Sequence, residues 1–172
     1  MRVKICGLRS RAEVSLAAAA GAAYVGFVFF PPSPRHVSLA DARWIAGGIP
    51  DGLIRVALTV DADDETLAEI IEAAQVDLLQ LHGSESPDRV ADIRDRFEVP
   101  VMKALGIAAE DDLPQLDAYG EVADQLLVDA RARPGADQVD VSSGVESRPG
   151  HKDAARVTAF VRAALDAERL EA

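Results

Sequence analysis

Seven short apolar runs, each bounded by polar or turn-forming residues, recur along this 172-residue chain. Most are continuous rather than alternating in hydrophobicity, which is typical of strands covered on both faces. Helix-like stretches lie between them, so the pattern predicts an α/β fold with a parallel sheet. The predicted strands are Val3–Cys6, Tyr24–Phe30, Ile54–Val60, Asp77–His82, Val99–Leu105, Gln125–Asp129 and Val139–Ser143.

Helix start and stop signals separate these strands. Ser10 is a predicted N-cap of a helix that Gly21 ends, and Ser38 with Asp41 forms a capping-box pattern. Ser86 is followed by a proline, which favours the first position of a helix. Three further helices are predicted at Glu65–Ala74, at about Asp111–Tyr119 and from Asp153 onward.

The spacing of the strands favours a (β/α) barrel over an open doubly wound sheet, although spacing alone does not decide closure. The first six strands begin 21 to 30 residues apart, which fits one strand and one helix per unit. The last connection breaks this rule, because only residues 130–138 separate the sixth strand from the seventh. A parallel crossover normally takes about a dozen residues or more. An extended connection of this length spans about 30 Å, so we expect a return without a helix.

Composition narrows the class of protein. The length predicts one domain over residues 1–172. One cysteine excludes an intramolecular disulfide, and three scattered histidines argue against a zinc cluster. The net charge of −11 argues against a nucleic-acid surface. A lone cysteine is most simply housed in a reducing cytoplasm.

The uncharged stretch Val14–Pro34 is long enough to span a membrane. Its first half is Ala-rich and helix-like, whereas Tyr24–Phe30 is aromatic and β-branched, which suits a buried strand. The mixed charges of Arg9, Arg11 and Glu13 also differ from a basic secretory leader. We therefore predict neither a membrane span nor a signal peptide here.

Polar or reactive side chains stand at or just beyond the ends of several predicted strands. They include Cys6, Arg35 in a proline-rich loop, His82 and Asp129. A parallel barrel brings such strand ends to one rim. Each also has a plainer reading: a lone cysteine is usually a buried apolar residue, Arg35 an ordinary surface arginine and His82 a structural histidine. A purely structural role is harder to give to Asp129, because a carboxylate at the end of an apolar strand is costly unless it is paired, protonated or functional.

The last predicted strand leads into Ser142, Ser143 and Gly144. Hydroxyls and a permissive backbone suit a loop that wraps a phosphate, and the final loops of barrels often do this. A Ser-Ser-Gly turn alone is a weak signal.

Six motifs occur in a fixed order across nearly the whole chain: Lys4-Ile5-Cys6-Gly7, Gly26-Phe27-Val28-Phe29 through Ser33-Pro34-Arg35, Gln80-Leu81-His82-Gly83, Lys103-Ala104, Leu127-Val128-Asp129 and Asp140-Val141-Ser142-Ser143-Gly144-Val145-Glu146. Through this ordered set the chain resembles the phosphoribosylanthranilate isomerase family of tryptophan biosynthesis. The resemblance implies a parallel (β/α) TIM-type barrel. It also implies an Amadori rearrangement of a phosphoribosylated anthranilate without metal or cofactor.

The resemblance also implies roles for individual residues. Cys6 would be the general base that removes the C2′ proton, and its pKa should then be lowered by its surroundings. Asp129 would be the general acid that protonates the ring oxygen. Arg35 would hold the anthranilate carboxylate. The phosphate would lie at Ser142, Ser143 and Gly144, with His82 and Asp140 near the ligand.

One part of the family pattern is missing. About one βα unit and a helix, including the seventh strand, have no counterpart between Asp129 and Val139, so the domain is incomplete between 130 and 138. The short connection is either a true deletion or residues absent from the sequence as read. Three readings of function follow: an isomerase of this family, a non-catalytic barrel remnant with weak or no phosphosugar binding, or another phosphosugar barrel enzyme. The oligomeric state is not indicated, but a gap would expose strand edges and favour association.

Overall fold

The computed structural model describes residues 1–107, 110–129 and 138–170, and within them seven strands form one sheet. Every neighbouring pair in it is parallel. The strands are β1 Arg2–Ile5, β2 Tyr24–Phe29, β3 Ile54–Thr59, β4 Leu78–Leu81, β5 Val101–Gly106, β6 Gln125–Asp129 and β7 Gln138–Val141. All seven predicted strands are thus confirmed, with ends shifted by a residue or two. β5, for example, begins after Pro100, which has no N–H to offer a strand.

The helices also follow the predicted signals. Ser10, Ser38 and Ser86 each accept a hydrogen bond from the backbone N–H three residues on, as N-caps do. Gly21 ends the first helix with a φ of 97°, a left-handed conformation that favours glycine. The helices are α1 Arg11–Ala20, α2 Leu39–Ala46, α3 Asp64–Ala74, α4 Pro87–Phe97, α5 Pro114–Gly120 and α6 Ala154–Leu170.

The strand order is β6-β5-β4-β3-β2-β1-β7, so the sheet winds in one direction and then adds the last strand beside the first. This is the order of a TIM-type barrel that lacks its seventh strand, as predicted. β6 and β7 lie at the two ends of the sheet, and within the described ranges no strand joins them. The connection between them, residues 130–137, lies outside the described part of the chain.

The two faces of the sheet bury different residues. Val25, Phe27, Ala57 and other residues of one parity pack under the helices in the main core. Residues of the opposite parity form a smaller cluster on the other face, the inside of the curled sheet. That cluster consists of Tyr24, Val56, Leu78 and Met102.

A two-stranded antiparallel hairpin, β8 Glu146–Arg148 and β9 His151–Lys152, was not predicted. It leads from β7 to the last helix and turns at Gly150, whose φ is 77°. Its strands are too short for the period-two pattern to stand out.

No helix in the described ranges is long and apolar enough to cross a membrane.

Candidate active site

Cys6 directly follows β1 at the carboxyl edge of the sheet. Its backbone N–H donates to the carbonyl oxygen of Val141 at 2.9 Å, which ties it to β7. The residue is only 3% exposed. Gly7 then turns the chain with a φ of 75°. The thiol thus lies at the edge where parallel α/β barrels place their active sites.

Lys4 and Asp140 lie beside Cys6. The register pairs Lys4 with Asp140 across β1 and β7, and the Lys4 Nζ lies 3.3 Å from an Oδ of Asp140. Lys4 and Cys6 are two residues apart along an extended chain, so their side chains leave the same face of the sheet. The Lys4 side chain is 4% exposed and that of Asp140 is 19% exposed.

Burial dominates the protonation of the thiol. It raises the pKa of Cys6, and the nearby Asp140 carboxylate raises it further, whereas Lys4 and Lys152 act to lower it. The net pKa is raised, so the predicted lowering is wrong for this geometry. The physical reason is that the free energy needed to remove the thiolate from water exceeds the stabilisation that the neighbouring cations give it.

Arg35 forms a bidentate ion pair with Glu146 of the hairpin. Its Nε and Nη2 donate to the two carboxylate oxygens at 2.7 and 2.9 Å. The Lys152 Nζ donates to the same carboxylate at 2.9 Å, and the backbone N–H of Gly150 donates to it at 3.2 Å. Burial opposes ionisation of Glu146, but these donors outweigh it and hold the pKa at about 2. The Glu146 carboxylate therefore joins Arg35 to the hairpin that contains Gly150 and Lys152.

The Arg35 stem also approaches Ser142 at the turn after Cys6. A Cβ on Gly7 would lie 2.6 Å from the Cδ of Arg35 and 3.1 Å from the Oγ of Ser142. Only glycine fits there, because its φ is positive and the space is filled. The fold thus brings Cys6, Arg35 and Ser142 to one place.

The predicted phosphate loop is a short 3₁₀ helix, Ser143–Val145, which follows Ser142. Ser143 and Gly144 are exposed, whereas Val145 is buried beneath them. The Ser142 carbonyl accepts a hydrogen bond from the buried Lys152 Nζ at 2.9 Å. The loop is therefore anchored from below and open above.

His82 follows β4 and is exposed, with its Nδ1 3.2 Å from the Nε2 of Gln80. The next residue, Gly83, is held by a buried ion pair. Its carbonyl accepts from the Lys103 Nζ at 2.7 Å, and its N–H donates to Glu85 at 3.0 Å. Lys103 and Glu85 are 2.8 Å apart, with side chains 2% and 3% exposed. The loop that carries His82 is thus firmly attached to β5.

Asp129 ends β6, where its backbone is in register with Gly106 of β5. β6 and β7 are the two end strands of the sheet, so five strands lie between Asp129 and the Asp140 segment in the strand order. The sheet places the Asp129 backbone at the same carboxyl edge as Cys6. Contact between these two predicted catalytic groups stays a prediction.

The model of the family described as N-(5′-phosphoribosyl)anthranilate (PRA) isomerase matches residues 3–136. The chain belongs to this family. A PRA isomerase from Cereibacter sphaeroides (strain ATCC 17023) is 48% identical over 208 residues, covering 95% of this chain and 98% of the relative. One from Rhodopseudomonas palustris (strain BisA53) is 47% identical over 212 residues, covering 98% and 97%.

Solved structures of PRA isomerases share the fold. The enzyme from Thermotoga maritima superposes with a TM-score of 0.87 at 28% identity, covering 96% of this chain and 99% of that one. A PRA isomerase in complex with reduced 1-(o-carboxyphenylamino)-1-deoxyribulose 5-phosphate gives 0.84 at 29% identity, with the same coverage. The alignment to the Cereibacter relative, 208 residues long, exceeds the whole 172-residue chain, so that relative has residues without a counterpart here.

Three charged residues of the site escaped sequence reasoning as site residues: Lys4, Glu146 and Lys152. Lys4 and Glu146 stand inside quoted motifs, but only the fold shows what they contact. One signal in the sequence could have pointed to the two lysines: lysine is rare in this chain, with 3 among its 18 basic residues. All three lysine side chains are buried, at 4%, 2% and 0% exposure. A chain that otherwise uses arginine thus keeps lysine for its interior.

Proposed function

We propose that this chain isomerises N-(5′-phosphoribosyl)anthranilate with Cys6 as general base and Asp129 as general acid. Membership of the PRA isomerase family makes the chain an isomerase of tryptophan biosynthesis. The observation that carries the residue assignment is the buried Cys6 at the carboxyl edge of the sheet, beside Lys4 and one strand from the serine loop.

The chemistry needs one acid and one base. Asp129 gives a proton to the furanose ring oxygen while the anthranilate nitrogen pushes out the C1′–O bond, leaving a protonated imine. The Cys6 thiolate then takes the C2′ proton, and the electron pair of that C–H bond neutralises the imine to give an enolamine. The enolamine tautomerises to the 1-deoxyribulose product. Proton transfers by positioned side chains typically contribute about 10²–10⁴-fold each.

Substrate binding is assigned to the surrounding groups. The guanidinium edge of Arg35 that Glu146 leaves free suits the planar anthranilate carboxylate. The exposed turn at Ser143 and Gly144, with Ser142 before it, suits the phosphate. His82 and Asp140 would line the space between. We place this reaction in the cytoplasm, where the single cysteine stays reduced.

The test is a fluorescence assay of purified protein, because ring opening and rearrangement remove the anthranilate-type emission of the substrate. Cys6→Ala and Asp129→Asn should each lower kcat by at least about 10²-fold. Asp95→Asn is the matched control, since the side chain of that aspartate is 74% exposed on α4. Equal rates for Cys6→Ala and the unmodified chain would sink the base assignment.

A non-catalytic remnant is the competing function, motivated by the missing strand between β6 and β7. Lost anchoring of the phosphate end would weaken the positioning on which catalysis depends. Identity of 48% across 95% of the chain favours the isomerase instead. Calorimetry with the reduced product analogue separates the two: the isomerase should bind it tightly, and the remnant should not.

A further inference from the structure

Lys4 is a buried cation with too few partners. Its Nζ makes an ion contact of 3.3 Å with one oxygen of Asp140 but no hydrogen bond within the described ranges. The other carboxylate oxygen of Asp140 is also buried without a partner there. A buried ammonium normally has its donors satisfied, since the cost of leaving them unpaired is high. Lys4 therefore has capacity for a second anion.

The candidate for this second anion is the sulfur of Cys6, which acts on the Lys4 ammonium. A Cβ placed on Gly26 of the adjacent strand would lie 3.0 Å from the Cys6 Sγ and 3.3 Å from the Lys4 Cε. The thiol and the end of the lysine stem thus lie side by side over the same glycine. No side chain from β2 separates them at this position.

The charges that face Cys6 can be counted by element. Lys4 comes from β1, Asp140 from β7 and Lys152 from β9, and Arg35 comes from the loop after β2. Arg35 and Lys152 are already bound to the Glu146 carboxylate. Within the described part of the chain, Lys4 differs from Arg35 and Lys152 because it contacts Asp140, which lies beside the thiol, instead of Glu146.

We propose that Lys4 is a positioning residue whose ammonium is the counter-ion of the Cys6 thiolate, with Asp140 holding that ammonium in place. The inference deepens the proposed function, because it concerns the same base. Because the pKa of Cys6 is raised, only the fraction of Cys6 that has lost its thiol proton to solvent is active, and that thiolate receives the C2′ proton. Lys4 stays protonated throughout and transfers no proton.

The directions of the pKa shifts of Lys4 and Cys6 agree with an ion pair between them. Burial by itself lowers the pKa of Lys4, but Cys6 and Asp140 outweigh it and raise the pKa, so the ammonium persists. Burial raises the pKa of Cys6, and Lys4 is the largest opposing influence. Removing Lys4 should therefore leave a buried thiol that ionises at still higher pH.

Titration of the thiolate by its ultraviolet absorbance tests this directly, since Cys6 is the single cysteine of the chain. Subtracting the absorbance of a Cys6→Ser protein removes the contribution of the two tyrosines. Lys4→Met should move the midpoint up by at least about one pH unit, the usual effect of a nearby opposite charge. Lys4→Arg should keep it near the unmodified value. Arg2→Met, on the same face at the other end of β1, should not change it.

Lys4→Met leaves Asp140 without its cation and can fail to fold. Lys4→Met/Asp140→Asn removes both charges and should still titrate above the unmodified chain, because Lys4 influences Cys6 more than Asp140 does. An unchanged midpoint in either folded variant overturns the proposal. The acid limb of the kcat profile should shift by the same amount. Since the titration needs no turnover, it tests the pairing of Lys4 with Cys6 even where the isomerase assignment fails.

Discussion

Arg35 and Glu146 are 111 residues apart in sequence, yet the Nε and Nη2 of one lie 2.7 and 2.9 Å from the two carboxylate oxygens of the other. The pair joins the loop after β2 to the hairpin after β7. These are the two segments on either side of Cys6. The ion pair therefore holds the mouth of the candidate site in one arrangement and fixes which edge of Arg35 remains for a ligand.

Glu146→Gln should destabilise the protein at neutral pH. The folded pKa of Glu146 is about 2 against an ordinary value of 4.5. A depressed pKa of this size corresponds to about 3 kcal/mol, present above pH 4.5 and lost as the pH falls toward 2. Urea unfolding should show the full difference at pH 7 and a smaller one at pH 3. The exposed Glu72→Gln should change stability by less than about 0.5 kcal/mol, and an equal loss there would contradict the assignment.

Arg35→Lys should weaken substrate binding more than chemistry. A lysine is a point charge and cannot serve the Glu146 carboxylate and a substrate carboxylate with paired donors. Losing a charged hydrogen bond costs about 1.5–3 kcal/mol, so kcat/KM should fall about 10- to 100-fold, mainly through KM. Arg43→Lys on the exposed side of α2 is the control. An unchanged KM would remove Arg35 from the carboxylate site.

Gly26→Ala should disturb Cys6. The new Cβ would lie 3.2 Å from the Cα of Cys6, a backbone atom that cannot turn aside, as well as 3.0 Å from its sulfur. Overpacking of this kind costs about 1–3 kcal/mol and should lower kcat by displacing the base. Gly106→Ala is the matched control, because nothing lies within 4 Å of its Cβ position. Equal unfolding midpoints for the two variants would show that the site relaxes freely.

Lys103→Met should be among the most destabilising substitutions. It leaves the Glu85 carboxylate buried without its cation, and breaking such a pair costs about 3–5 kcal/mol. Lys103→Met/Glu85→Gln should recover part of the loss, since the amide oxygen can still accept from the backbone. A double-mutant cycle in urea measures this coupling. Strict additivity of the two single changes would show that the pair is not coupled.

The isolated chain should associate at moderate concentration. β6 and β7 each pair on one side only within the described ranges, and Val128 of β6 is 41% exposed. Unpaired strand edges and exposed apolar surface favour contact with other chains. Light scattering across a dilution series measures this, and a monodisperse monomer throughout would refute it.

The amino-acid pattern predicted most of the structure that depends on near neighbours, but it missed the short hairpin of β8 and β9. Continuous apolar runs predicted all seven strands, and Ser10, Ser38 and Ser86 marked helix starts that the structure confirms. The short stretch before β7 predicted a connection without a crossover helix, because too few residues remain for one. The resemblance to the family added that about one βα unit is missing there. The ordered motifs also identified the family and the residues to examine.

Only the tertiary structure decided which charges meet. The contacts between Lys4 and Asp140, between Arg35 and Glu146, and between Lys103 and Glu85 depend on sheet register and on loops that return to the same edge. The protonation of Cys6 is the clearest case. Its motif predicted a reactive thiol, but burial and charges such as Asp140 and Lys152 determine the direction of its pKa, and they reach Cys6 only once distant segments have packed together.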